Sequence, residues 1–259
     1  MIDTHAHLDD PQFDVDRDAV LARSQAAGVE AIVCVGTTLE SSRAAVRLAE
    51  NYPQIYAAVG IHPNSCAEAT DDQWQQIVAL AEHPRVVALG ETGLDRYRDF
   101  APLDRQIEFF GRHLRLGRQR RLPVIIHCRE AATDLLPLLD EAAGVAPLAA
   151  VLHAFSGDAA MAAKCLELGL FISVAGNVTY KNSKFQSLRA AATTIPADRL
   201  LLETDCPYLS PEPYRGKRPR NEPALVAHTA AALAQLRGVD IAQLAAETAA
   251  NARRLFRLA

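Results

Sequence analysis

Two histidines lie one residue apart near the start of the chain, in the sequence MIDTHAHLDD. Residues i and i+2 of a β-strand face the same side, so His5 and His7 can present both imidazoles to one ion. Neutral imidazole is an ordinary ligand of divalent cations. An isolated pair favours a metal site only weakly over two core histidines, so its interpretation depends on which other residues the fold brings beside it.

Further imidazoles and carboxylates occur at the ends of apolar runs elsewhere in the chain. They are His62, Glu91, His127, His153 and Asp205. Singly, each has a structural explanation, since a lone histidine is commonly a core residue and a lone glutamate commonly pairs with an arginine. Jointly they form a pattern, because independent core histidines have no reason to select strand ends. The remaining histidines fall in helical stretches and are interpreted as structural: His83, His113 and His228.

The apolar runs predict the fold. Eight short runs rich in Val, Ile and Leu alternate with longer stretches of helical periodicity across the 259 residues. Continuous apolar runs are typical of parallel strands covered on both faces. Eight β–α alternations in about 250 residues match an α/β fold of the (β/α)8 TIM barrel type, expected as a single domain over residues 1–259. A doubly wound sheet is the alternative, but the glycine-rich loop that normally follows its first strand is missing from the sequence.

A barrel would bring the polar strand-end residues together. The carboxyl ends of its strands meet at one mouth, where barrel enzymes carry their active sites. Four imidazoles and two carboxylates gathered there need compensating charge, because buried unpaired charges are costly. Six ligands exceed the set used by one tetrahedral zinc, so we expect two or three divalent ions, Zn²⁺, Mn²⁺ or Mg²⁺, with Glu91 as the bridge. The predicted ligands are His5, His7, Glu91, His127, His153 and Asp205.

Composition limits which binding partners and which cellular location are expected for the protein. The net charge is −4, so phosphate binding requires a local basic cluster rather than the whole surface. No stretch reaches the roughly 18 apolar residues of a membrane span, and no membrane partner is expected. Five scattered cysteines without a C-x-x-C pair predict a reducing, cytoplasmic location.

Basic residues gather in the loops predicted after the seventh and eighth strands, where barrels often bind phosphate. They are Lys181, Lys184, Arg215, Lys217, Arg218 and Arg220. The predicted substrate contacts are Arg215 and Lys217, together with Arg129, Ser156 and His62. Aromatic residues that would stack on an unpaired base are Tyr97, Phe155, Tyr180 and Tyr208. Charged loops and aromatic residues are also common without any such role.

Seven motifs, in order along the chain, identify a resemblance. They are D-T-H-A-H at Asp3–His7, G-I-H-P at Gly60–Pro63, G-E-T-G-L-D at Gly90–Asp95, I-H-C-R at Ile126–Arg129, H-A-F-S-G at His153–Gly157, E-T-D-C-P-Y-L at Glu203–Leu209 and N-A-R-R-L-F at Asn251–Phe256. Over its full length the chain resembles the TatD family of metal-dependent deoxyribonucleases, within the amidohydrolase-like barrel superfamily. The resemblance implies a metal-dependent hydrolase, most often a nuclease of DNA. It leaves open whether RNA is also a substrate and whether the cleavage is endonucleolytic or that of a 3'-5' exonuclease on single strands. It implies the same six metal ligands and places His62 near the substrate.

Two positions depart from the family pattern. Asn64 stands where family members often carry a second histidine or an acid, and Arg96 stands where many have an aromatic residue, with Tyr97 following it. Both positions belong to loops expected to face the substrate. The departures therefore bear on substrate preference more than on metal chemistry.

The predicted reaction is hydrolysis of a phosphodiester bond by metal-activated water. Asp205 is the predicted general base, with Glu91 and His62 as its catalytic partners. One alternative is a hydrolase of a small cyclic amide, lactone or phosphoester on the same barrel, although many such relatives carry a modified lysine at the position of Glu91. Another is a scaffold protein with an inactive site, which has no need of a complete ligand set. No obligate protein partner is expected.

Overall fold

The computed structural model describes residues 1–217 and 220–258, so Arg218 of the predicted basic loop lies outside the described residues. Within these residues, eight parallel strands pair in sequential order as a nearly closed barrel, which confirms the predicted TIM barrel. Each of the eight predicted apolar runs overlaps one of these strands. The strands are β1 Ile2–Ala6, β2 Ala31–Val35, β3 Ile55–Val59, β4 Val86–Asp95, β5 Val124–Arg129, β6 Ala150–Leu152, β7 Phe171–Val174 and β8 Leu200–Leu202.

Helices cover the outside of the sheet, as the helical periodicity predicts. In the described part of the chain they are α1 Arg17–Ala26, α2 Leu39–Asn51, α3 Asp71–Leu80, α4 Leu103–Arg120, α5 Ala132–Val145, α6 Ala159–Glu167, α7 Gln186–Thr194, α8 Val226–Arg237 and α9 Ile241–Phe256. Short 3-10 turns occupy Pro11–Phe13, Pro63–Ser65, Gly176–Thr179, Ser183–Phe185, Ala197–Arg199 and Pro223–Leu225. None of the described helices is both long and apolar enough to cross a membrane.

The barrel closes between β1 and the segment that follows β8. The Asp205 N–H donates to the carbonyl of His5 at 2.9 Å, and the His7 N–H donates to the carbonyl of Cys206 at 2.8 Å. Beneath this pair of bonds, the buried Asp3 carboxylate accepts from the N–H and hydroxyl of Thr204 at 2.9 and 2.6 Å. The first and last strands are thereby held together immediately below the polar residues of the mouth.

The strand residues divide between two apolar layers. Along β2, Ile32 and Cys34 pack in the outer layer against the helices, whereas Val33 and Val35 belong to the inner cluster. This alternation places both faces of the strand in apolar surroundings, which explains the unbroken Val and Ile run. Phe256 of α9 joins the inner cluster.

Candidate metal centre

The predicted ligands converge at the carboxyl ends of the strands. Their donor atoms fall into groups in which all of them lie within 4.8 Å of one another. In the described residues these groups are His5 with His153 and Asp205, His5 with His7 and Glu91, and His62 with Glu91 and His127. Residues far apart in the sequence therefore meet in one buried cluster, as the strand-end positions predict.

Glu91 stands at the centre of the cluster, in the long and fully buried strand β4. Its Oε1 lies 2.8 Å from both His127 Nδ1 and His153 Nε2. Its Oε2 lies 3.2 Å from His5 Nε2 and 3.6 Å from His7 Nε2. Burial alone would raise the pKa of Glu91, but the surrounding imidazoles hold it well below its usual range. The two oxygens of one carboxylate thus face two different pairs of imidazoles.

The outer nitrogens of three of the rings face hydrogen-bond acceptors. His7 Nδ1 lies 2.9 Å from the carbonyl oxygen of Val35, which can only accept, so this nitrogen carries the hydrogen. His127 Nε2 is 3.2 Å from Asp95 Oδ2, and His153 Nδ1 is 3.4 Å from a Glu203 oxygen. If a cation takes the place of the inner proton, the other nitrogen of each ring presents a lone pair to the centre of the cluster.

A divalent cation fits this arrangement. Inward nitrogens approach one another closely, with His5 Nε2 3.2 Å from His7 Nε2 and His127 Nδ1 3.3 Å from His153 Nε2. Burial alone would lower the pKa of His127 and of His153, but the carboxylates beside them raise both, so protons supply the positive charge when no cation is bound. Imidazole and carboxylate are usual ligands of Zn²⁺ and Mn²⁺. Burial disfavours a charged His7, yet Asp205 and Glu91 raise its pKa to about 9. Metal binding would displace such protons.

His62 differs from the other histidines in the direction of its lone pair. Its Nδ1 accepts the Asn64 N–H at 3.0 Å and caps the 3-10 turn at Pro63–Ser65. The hydrogen of the neutral ring therefore sits on Nε2, which faces Glu91 Oε1 at 3.3 Å. Burial lowers the pKa of His62, so the ring stays neutral. Although its nitrogen lies within reach of the cluster, this tautomer suits His62 to hydrogen-bond donation rather than to metal binding.

Asp205 reaches the cluster from an unusual backbone conformation. Its φ is 55°, in the left-handed region that few non-glycine residues adopt, and it follows β8 rather than lying in it. Its Oδ1 is 3.4 Å from His7 Nε2 and 3.7 Å from His5 Nε2. Burial would raise the pKa of Asp205, but His7 and His5 lower it, so the carboxylate is ionised. Strain held in place by the surrounding bonds is typical of functional sites.

The predicted substrate contacts lie around the mouth rather than in the cluster. Arg129 and Arg215 are exposed, and their guanidinium groups stack on the rings of Tyr97 and Tyr180 at 3.8 and 3.9 Å. Lys217 and Ser156 are exposed as well. Ser156 and His153 both line a cavity of about 370 Å³ between β5 and β6.

Three of the other predictions for the rim need correction. Phe155 and Tyr180 are 1% and 5% exposed, so neither ring is free to stack on a base. Arg220 pairs with Asp16 and stacks on Phe13, so its charge is used within the protein. The exposed aromatic residues near the mouth are Tyr97, Tyr208 and Phe100, and the last of these was not predicted. Aromatic residue type alone does not distinguish a packed ring from an exposed one.

Two residues that the sequence analysis did not single out, and one histidine that it interpreted as structural, support the cluster. Asp95 and Glu203 are buried acids that face the outer nitrogens of His127 and His153. His113 is fully buried, and its Nε2 accepts the N–H of Ile61 at 3.1 Å, next to His62. Both acids lie inside motifs quoted above, G-E-T-G-L-D and E-T-D-C-P-Y-L. An acidic residue within an apolar run was the sequence signal that could have identified them. Nothing in the sequence distinguishes His113 from a packing residue.

Comparisons with known proteins show the family to which the chain belongs. The family model described as TatD related DNase matches residues 2–257. The chain is 40% identical to the metal-dependent hydrolase YabD of Bacillus subtilis, covering 100% of this chain and 99% of that protein. It is 42% identical to the 3'-5' ssDNA/RNA exonuclease TatD of Citrobacter rodentium, covering 99% and 97%. The crystal structure of YJJV, a TatD homolog from Escherichia coli, superposes with a TM-score of 0.92 at 33% identity, covering 100% and 98%. The chain therefore belongs to the TatD-related DNase family.

Proposed function

We propose that this protein is a metal-dependent 3'-5' exonuclease that hydrolyses phosphodiester bonds of single-stranded DNA or RNA. The observation that carries the proposal is the set of inward lone pairs and carboxylates in the mouth of the barrel. Its membership of the TatD-related DNase family supports it, as does the exonuclease named above at 42% identity. A cytoplasmic location is part of the proposal. All five cysteines lie within the described residues and have free thiols, which is typical of proteins in a reducing compartment.

The proposed ligands hold two or three divalent ions, Zn²⁺, Mn²⁺ or Mg²⁺. They are His5, His7, Glu91, His127, His153 and Asp205. When bound, such ions lower the pKa of a bound water, polarise a phosphoryl oxygen and stabilise the leaving oxygen. Glu91 spans the two pairs of imidazoles with its two oxygens, at 2.8 to 3.6 Å, and is the proposed bridge.

Asp205 and His62 are the proposed groups that handle protons. The Asp205 carboxylate is ionised and 9% exposed, so it can accept the proton of an attacking water that enters from the mouth. His62 is neutral with its hydrogen on Nε2, so it can donate a hydrogen bond to a non-bridging or leaving oxygen. Acceptor and donor thus approach the reacting phosphate from the segments that follow two different strands, β8 and β3.

Rim residues are proposed to bind the rest of the strand. Arg215, Lys217 and Arg129 are exposed cations in a protein whose net charge is −4, and Ser156 can donate a hydrogen bond to a phosphate. Contacts of this kind bind the backbone without reading sequence. The exposed rings of Tyr97 and Tyr208 can stack on unpaired bases. The combination favours single strands, whose bases are free to stack.

The test uses a 5'-labelled oligonucleotide with Asp205→Asn and a matched Asp10→Asn control. Asp10 lies in the loop after β1, where its Oδ1 accepts the N–H of Gln12. Asparagine keeps an oxygen that can accept the same bond. We expect wild-type protein with Mn²⁺ to shorten single-stranded DNA or RNA stepwise from the 3' end. Turnover should fall at least about 100-fold in Asp205→Asn, with an unchanged circular dichroism spectrum, and stay near wild type in the control.

Two results would contradict the proposal. One is near-normal nuclease turnover by Asp205→Asn. The other is the absence of nucleic acid cleavage by a metal-loaded wild-type protein that hydrolyses a member of a lactone, cyclic amide or phosphoester panel. The second result would establish the alternative hydrolase on the same barrel.

A further inference from the structure

Asn221 is a fully buried asparagine in the segment that follows β8, with an exposed fraction of 0%. Its Nδ2 lies 2.9 Å from the carbonyl oxygen of Thr204 and 2.6 Å from that of Tyr208. Its Oδ1 accepts the N–H of Glu222 at 2.9 Å. Because carbonyl oxygens can only accept, the NH₂ group donates one hydrogen to each of the two carbonyls. The orientation of the side-chain amide is therefore fixed by its partners.

The two carbonyls stand at either end of one turn, residues 204–208. Within this turn the Tyr208 N–H donates to the carbonyl of Asp205 at 2.9 Å. The carbonyl of Pro207 accepts the backbone N–H of Asn221 at 3.0 Å. Asn221 thus forms a clamp of three hydrogen bonds on a turn that lies 13 to 17 residues before it. The turn carries the proposed base, Asp205, near one end and the exposed ring of Tyr208 at the other.

The peptide group between Thr204 and Asp205 is held at both of its polar atoms. Its carbonyl oxygen accepts from Asn221, and its N–H donates to the carbonyl of His5 at 2.9 Å. Rotation of this peptide plane would break both bonds, and the orientation of the plane sets the φ of Asp205, which is 55°. Residues other than glycine keep such a backbone only where surrounding contacts compensate the strain. The amide of Asn221 supplies one of these contacts.

Asn221 is itself anchored by the residues on either side of it. The Glu222 carboxylate lies 2.7 Å from Nη2 of Arg23 in α1. On the other side, Arg220 donates to the carbonyl of Gln12 at 2.8 Å, in the loop after β1. Asn221 is therefore held in place independently of the turn to which it donates.

We propose that Asn221 is a positioning residue. Its side-chain amide holds the turn in the conformation that directs the Asp205 carboxylate into the metal centre and places the Tyr208 ring edge-on to His7, with 6.0 Å between the ring centroids. The proposal rests on the role of Asp205 in the proposed function. A displacement of about 1 Å in a reacting group can lower a rate about 100-fold, so loss of the clamp is expected to reduce turnover even where the protein stays folded.

The substitution Asn221→Asp removes the donor and keeps the shape of the side chain, and an oxygen remains to accept from Glu222. The matched control is Asn251→Asp in α9. Asn251 is 3% exposed, and its Nδ2 donates to the carbonyls of Ala197 and Leu200 at 2.7 and 2.9 Å. These bonds lie at the start of β8, whereas the mouth of the barrel is at its end. Both variants therefore lose a pair of buried bonds to carbonyls, but only one of them loses the clamp.

Amide hydrogen exchange of the metal-free protein measures the clamp directly. In wild type the Tyr208 N–H should exchange at least about 100-fold more slowly than in an unstructured peptide. In Asn221→Asp it should exchange about tenfold faster than in Asn251→Asp, because the loss of one such hydrogen bond changes an equilibrium by up to about that factor. Urea unfolding of both variants shows whether their overall stability has fallen by the same amount.

Steady-state kinetics on single-stranded DNA with Mn²⁺ measure the consequence for turnover. The assay temperature is one at which both variants are folded. We expect kcat to fall about 10- to 100-fold in Asn221→Asp and to stay within about twofold of wild type in Asn251→Asp. A role confined to stability would affect the two variants alike.

Three results would overturn the inference. An unprotected Tyr208 N–H in wild type would do so even if Asn221→Asp does not fold. Equal exchange of Tyr208 in the two folded variants would also overturn it, as would an equal effect of both substitutions on kcat. Because exchange is measured without metal or nucleic acid, it decides whether the clamp exists even if wild type has no nuclease activity. Failure of the proposed function is thus distinguished from failure of this assignment.

Discussion

His113 is expected to make the stability of the fold depend on pH. The ring is fully buried, its Nδ1 donates to the carbonyl of Phe109 at 2.7 Å, and its Nε2 accepts the N–H of Ile61 at 3.1 Å. Burial lowers its pKa from 6.5 to about 4. A second proton would sit on Nε2, against the N–H of Ile61 that this nitrogen now accepts. The folded protein therefore selects the neutral ring.

The size of the effect follows from the pKa difference. A group whose folded pKa is depressed below its unfolded value of 6.5 binds more protons when unfolded. For a histidine this means that its contribution is complete above 6.5 and is lost as the pH falls towards 4. Full titration of a shift of this size corresponds to about 3 kcal/mol. Between pH 7 and pH 5 the loss is about 2 kcal/mol, because most of the unfolded-state titration occurs there.

Urea unfolding of metal-free wild type and His113→Gln at pH 7 and pH 5 measures this loss. Glutamine does not titrate in this range and offers an acceptor and a donor in place of the two ring nitrogens. The stability advantage of wild type over the variant should shrink by about 2 kcal/mol at pH 5, since the other titrating groups cancel in the double difference. An advantage of equal size at both pH values would refute the reasoning, as would an NMR pKa of His113 near 6.5.

Further predictions concern the strands, the loop and the rim. Gly93 has a φ of 138°, and a Cβ there would lie 2.1 Å from a carbonyl oxygen of β5. Gly93→Ala should therefore lower the melting temperature and weaken Zn²⁺ binding at least about tenfold. An unchanged Zn²⁺ affinity would show that β4 tolerates the shift. Arg96→Ala should change the unfolding free energy in urea by less than about 1 kcal/mol, because its ion pair with α5 is exposed; a larger loss would contradict a surface role. Replacing Arg215 and Lys217 by alanine should reduce the slope of log affinity against log salt for single-stranded DNA by about 1.4, measured by fluorescence anisotropy; an unchanged slope would remove both from the interface.

The strands and their convergence were predictable because burial of both faces leaves a direct mark on the sequence. Val33 and Val35 face one apolar layer and Ile32 and Cys34 the other, so every position of β2 is apolar. Parallel strands in sequential order then fix which ends share the mouth. The meeting of the six candidate ligands follows from topology without knowledge of any side-chain angle.

Other features depended on geometry that no spacing encodes. Asp205 reaches the cluster through a left-handed backbone beyond β8, while the next residue, Cys206, is buried. The donor direction of His62 depends on a single bond from the Asn64 N–H. The role of Asn221 depends on which carbonyls its amide faces, and the sequence reveals only that an asparagine is present.

The central claim is that imidazoles and carboxylates from separate strands hold divalent ions in the mouth of the barrel. Anomalous diffraction from crystals grown with Mn²⁺ or Zn²⁺ tests it most directly. The account predicts at least two anomalous peaks that contact Glu91 and the inward nitrogens of His5, His7, His127 and His153. Crystals saturated with either metal that show these rings turned apart, with no peak among them, would contradict it.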